Sequence, residues 1–154
     1  MKLLAIDSSG LVASVAVIEE ETLVAEYTMN YKKTHSQTLL PMLDEISNMT
    51  ELDLSTIDAI AVAGGPGSFT GLRIGSATAK GLGLALEKPL ISIPTTAAIA
   101  YNIWDTNKFV CPIMDARRNQ VYTGVYCYTD HRLDTVWEQD TMSIEALAEG
   151  LNCL

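Results

Sequence analysis

Asp7 and Asp115 each end an apolar run, and Asp7 is followed by the polar turn Ser8-Ser9-Gly10. Carboxylates are oxygen donors of the kind magnesium takes, and Ser8 and Ser9 add hydroxyls beside the first of them. A second candidate is Gly64-Gly65-Pro66-Gly67-Ser68-Phe69-Thr70-Gly71, where an apolar run passes into a helical pattern and exposed amides can receive an anion. Two phosphate motifs fail there: Leu72 stands where a Walker loop needs lysine, and Thr70 where the dinucleotide fingerprint needs glycine. His35 and His131 are the two histidines, and neither has another four residues away, so a helical two-histidine metal pair is excluded. His35, opening a helical pattern, reads as a capping or interface residue, and His131 as a solvated turn residue. No G-x-S-x-G elbow occurs, and Cys111, Cys127 and Cys153 contain no C-x-x-C pair. No catalytic residue and no metal ligand is assigned.

The elements that must position these residues follow from periodicity. Lys2 to Asp7, Leu11 to Ile18 and Thr22 to Tyr31 read as three antiparallel strands. Leu39, Met42, Leu43, Ile46 and Met49 recur at three and four, which makes one face of a helix starting at Thr34, where Thr34 and Gln37 have capping-box spacing. Pro41 inside it predicts a kink or a loosened first turn. A strand over Asp58 to Ala63, a helix from about Thr70 to Leu86, a strand over Leu90 to Ile93 and a helix from Pro94 to about Trp104 follow. Strands at Phe109 to Asp115, Gln120 to Tyr128 and Leu133 to Gln139 precede a helix capped by Ser143. The fold class is α/β with mixed sheets. Leu3 to Ile18 and Val110 to Tyr128 repeat one pattern, as two related lobes with Asp7 and Asp115 at equivalent strand ends would.

Hydrophobic residues make 48 % of the 154 and charged residues 19 %, a globular composition. A net charge of −9 repels phosphate backbones, so RNA is not expected to bind this chain unaided. No apolar run approaches the roughly 20 residues of a membrane span. The start, with Asp7 interrupting its apolar run, is unlike a signal peptide, so a cytoplasmic location is expected.

The helix after the glycine-rich turn carries an anomaly. Gly71, Gly75, Ala79 and Gly83 fall four apart, and interior glycines at 75, 81 and 83 cost about 1 kcal/mol each relative to alanine. Close approach of another backbone would offset this, and that backbone belongs either to the chain itself or to a second protein. Arg73 either reaches a carboxylate across such an interface or ties the glycine loop internally.

Leu4-Ala5-Ile6-Asp7-Ser8-Ser9, His35-Ser36-Gln37 with Leu40-Pro41, the turn from Gly65 to Gly75, and Met114-Asp115-Ala116-Arg117-Arg118 with Val121-Tyr122 together resemble the TsaB (YeaZ) family over nearly the whole chain. The resemblance implies an actin, sugar kinase and Hsp70 type of fold, two lobes on an RNase H-like core. It divides the chain into a first lobe over 1–103 and the start of a second, incomplete here, over 104–154. It also implies a non-catalytic subunit that pairs with TsaD, with a TsaE ATPase joining and tRNA reached indirectly, for threonylcarbamoyl transfer to the adenosine 3′ of the anticodon. The implied pairing surface, used also by a homodimer when the chain is alone, is His35, Leu39, Leu40, Leu43, Gly71, Arg73, Gly75, Ala79 and Gly83. No cofactor is intrinsic, with ATP or ADP and Mg entering at the level of the complex. The alternatives are a stand-alone nucleotide-dependent enzyme using Asp7, Ser8, Ser9 and Asp115, or a glycoprotease-like peptidase.

Overall fold

The computed structural model describes residues 1–31 and 34–154, and these form two compact units, Met1–Ile93 and Pro94–Leu154. The first unit is built on a five-stranded sheet. Strands β1 (Lys2–Asp7), β2 (Ala13–Glu19) and β3 (Thr22–Met29) form an antiparallel meander, β4 (Ala59–Gly65) pairs parallel to β1, and β5 (Leu90–Pro94) lies at the edge, in the order β3-β2-β1-β4-β5. Register places Leu4 opposite Val17 and Ile60, and Ile6 opposite Val15, so alternate side chains line one face. Helices α1 (His35–Thr50) and α2 (Phe69–Leu86) cover that face through Leu39, Met42, Leu43, Ile46 and Ala79, all buried.

The Thr34–Gln37 capping box forms, Gln37 Oε1 accepting the Thr34 N–H at 3.4 Å. Helix α1 runs through Pro41 as one assigned element. Proline there leaves the Gln37 carbonyl without its helical donor, a loss that the burial of one whole helical face offsets. The polar turn expected after β1 extends into a loop from Ser8 to Val12, in which Ser8 and Ser9 turn inward and Leu11 is 90 % exposed.

The second unit holds helix α3 (Thr95–Ala100), strands β6 (Ile113–Arg117), β7 (Gln120–Thr129) and β8 (Arg132–Ser143) in one antiparallel sheet, and helix α4 (Ile144–Leu151). Ser143 caps α4 by accepting from Ala146 N–H. Two expectations shift. Helix α3 stops at Ala100 rather than Trp104, and Tyr101 and Trp104 stack on each other beside Tyr128. The run from Phe109 makes a single bridge at Val110 before Pro112, which has no N–H to donate, and pairing resumes at Ile113. Helix α3 belongs to the second compact unit, with Thr96 Oγ1 2.7 Å from Tyr126 Oη and Ala100 packed with Val110 and Tyr126. Among the described residues no helix is long and apolar enough to cross a membrane.

Candidate partner interface

Three of the sequence segments singled out above meet at one end of the first sheet. Ser8 Oγ donates to the Gly71 carbonyl at 2.8 Å, Ser68 N–H donates to the Ser9 carbonyl at 2.7 Å, and His35 Nε2 lies 3.0 Å from the Gly10 carbonyl. A carbonyl only accepts, so the imidazole donates from Nε2. Ser68 also caps α2, its Oγ accepting from Gly71 N–H at 3.2 Å. The β1–β2 loop therefore fastens the N-termini of both helices and sets how they lie on the sheet.

At Gly71 the crossing leaves no room for a side chain, and at Gly75 and Gly83 a side chain would have to displace that of a neighbour. A Cβ on Gly71 would strike the Ser8 carbonyl oxygen, one on Gly75 the Ser8 hydroxyl, and one on Gly83 would come within 2.9 Å of Leu90 Cδ2. Gly65 adopts φ 102°, a left-handed conformation that side chains disfavour. Of the expected interface residues, Gly71, Gly75, Ala79 and Gly83 are thus buried by the chain itself, as are Leu39 and Leu43. In the chain as it stands they face inward. His35 is half-buried in its tie to Gly10, and Leu40 and Arg73 are exposed.

The outward face of α2 carries a different set. Ala77, Gly81 and Ala85 repeat every four residues and are exposed, flanked by Phe69 and by Leu84, which is 84 % exposed. A Cβ on Gly81 would meet nothing within 4 Å, so this glycine serves no packing of its own unit. Phe69 and Leu84 are apolar residues out of phase with the inner stripe, a signal present in the sequence. Within the chain the Arg73 guanidinium lies 5.3 Å from the Phe69 ring centroid, a cation–π contact.

The nucleotide candidates are engaged locally. Asp7 Oδ1 accepts from Ser9 N–H at 2.7 Å, Ser8 is committed to Gly71, and Ser9 is buried. Asp115 Oδ1 accepts from Arg117 N–H at 2.6 Å in the same local pattern, which is the structural form of the sequence echo. Asp7 lies in the first unit and Asp115 in the second. His131 Nδ1 is 2.7 Å from Asp105 Oδ2, an exposed pair in the second unit. The three cysteines are free, and no group of three His, Cys, Asp or Glu among the described residues is placed to hold a metal.

The β3-β2-β1-β4-β5 order, with two helices packed on one face of the sheet, defines a lobe of mixed α/β class. The family model described as TsaD, tRNA N6-adenosine threonylcarbamoyltransferase, matches residues 22–152. The chain is 38 % identical to the tRNA threonylcarbamoyladenosine biosynthesis protein TsaB of Bacillus subtilis, over 88 % of this chain and 59 % of that protein. Identity to the Escherichia coli protein of the same name is 38 % over 82 % of this chain and 55 % of that one. The solved structure of YeaZ from Pseudomonas aeruginosa superposes with a TM-score of 0.82 at 31 % identity, over 94 % of this chain and 68 % of that one. The chain belongs to the TsaB (YeaZ) family, within the wider group that the TsaD model describes. It spans between half and two-thirds of the length of the curated relatives named here.

Proposed function

We propose that this chain is a non-catalytic subunit of the machinery that makes threonylcarbamoyladenosine in tRNA, working by docking a TsaD-type subunit on the outer faces of α1 and α2. The observation that carries this reading is Gly81, a helix-interior glycine costing about 1 kcal/mol that nothing in its own unit requires, beside exposed Leu84. Close backbone approach by a partner helix accounts for it, as at other small-residue crossings. Leu40 on α1 supplies a further apolar contact. The names of the relatives supply the pathway, and the match to the TsaD model supplies a partner of related fold.

The alternatives of stand-alone nucleotide chemistry and peptidase chemistry have less support, because the β1–β2 turn spends its polar groups on α2. ATP or ADP with Mg, a TsaE-type ATPase and tRNA belong to the complex in this reading, and the location is the cytoplasm. The acidic charge leaves tRNA to the partner. Alone, the chain covers the same face with a second copy, since apolar helix faces of this kind rarely stay bare.

Size-exclusion chromatography with light scattering tests the reading. Leu84→Asp is expected to abolish both the homodimer and the pair with TsaD, with an unchanged circular dichroism spectrum. A Leu84→Asp chain that pairs like the wild type would refute it.

A further inference from the structure

A groove of about 670 Å3 runs beside α2, between the helix and strands β4 and β5. Its apolar surface comes from Val62, Leu72 and Leu90, and one wall carries Arg73 and Lys80. These are the only charged residues of α2, and no acidic side chain lines the groove among the described residues. On a chain of net charge −9 such a pair of cations is a local reversal of sign. Neither takes part in a salt bridge among the described residues, and the Phe69 ring holds the Arg73 guanidinium by its face.

From this charge pattern we infer that the groove receives an acidic segment of the partner subunit, with an apolar side chain on the groove surface and carboxylates at Arg73 and Lys80. The inference rests on the pairing proposed above, since Arg73 and Lys80 border the outward face of α2. Seven residues of helix set the Arg73 and Lys80 Cα atoms about 10.5 Å apart along its axis, a span that two acidic side chains of one polypeptide segment match. β5 lies at the sheet edge and Leu90 and Ser92 are exposed, so the groove is open along that side.

Affinity for the TsaD-type subunit, measured by isothermal titration at low and high salt, tests this. The variants are Arg73→Glu/Lys80→Glu, Ser92→Glu, which places a carboxylate inside the groove, and Leu84→Asp, which lies outside it. All four substituted positions are exposed, and circular dichroism checks the fold of each. The double variant and Ser92→Glu are expected to bind about tenfold more weakly at low salt and to approach wild type at high salt. If both bind as wild type at every salt concentration while Leu84→Asp still fails to pair, the groove inference is overturned and the pairing face stands. If Leu84→Asp pairs normally, or the wild type does not pair at all, the pairing reading fails and the inference falls with it.

Discussion

At the scale of single residues, the glycines of α2 divide by what a Cβ would meet. Gly75 faces Ser8 and Val62, so Gly75→Leu forces the β1–β2 loop off the helix. A loss of about 3 kcal/mol or more is expected, read as a lower melting temperature of the monomer and not as a selective pairing defect. Gly81 faces open space, and Gly81→Ala is expected to raise stability by up to about 1 kcal/mol. Equal responses at the two sites would contradict this division. Ser8→Ala removes the bond to the Gly71 carbonyl and should cost about 1 kcal/mol in chemical denaturation. The four-residue spacing of Gly71, Gly75, Ala79 and Gly83 was legible in the sequence. Its owner was not, because spacing names a helical face without saying which backbone lies against it.

At the scale of elements, α2 is a helix with two small-residue stripes on opposite sides. The inner one seats it on β1 and β4, and the outer one, Ala77, Gly81 and Ala85, is left bare. Sequence patterning favoured the inner stripe because it contains more glycine, yet Phe69 and Leu84 already marked the outer face. Caps were readable because their chemistry is local: Thr34 with Gln37, and Ser143 before α4. The Ser8–Val12 loop was not, since its path depends on contacts with α2, far away in sequence. In the second unit, burial pushes the Tyr128 phenol above its ordinary range, with Tyr101 and Asp105 adding to the shift, and its hydroxyl has no hydrogen-bond partner among the described residues. The folded state thus holds this proton more tightly than the unfolded chain. Stability is intact below the ordinary tyrosine pKa and falls as pH rises from there through the raised folded value. Tyr128→Phe should remove that alkaline loss at no cost to stability at neutral pH, measured by thermal melts across pH; a markedly lower melting point at neutral pH would contradict it.

At the scale of the whole chain, the mixed α/β class was legible because hydrophobic period and connection length dictate it, whereas an RNase H-like core was implied only by the family resemblance of the motifs. The membership of α3 in the second unit was not legible, since it depends on Thr96 finding Tyr126 across that unit. What the account claims of the molecule is that its motif residues assemble a rigid support, and that function lies on the surface this support presents. The most direct test is the dissociation constant for the TsaD-type subunit of the Gly81→Leu chain, measured beside its melting temperature. The account predicts no detectable pairing with a melting temperature at or above that of the wild type. Wild-type affinity in Gly81→Leu would contradict it.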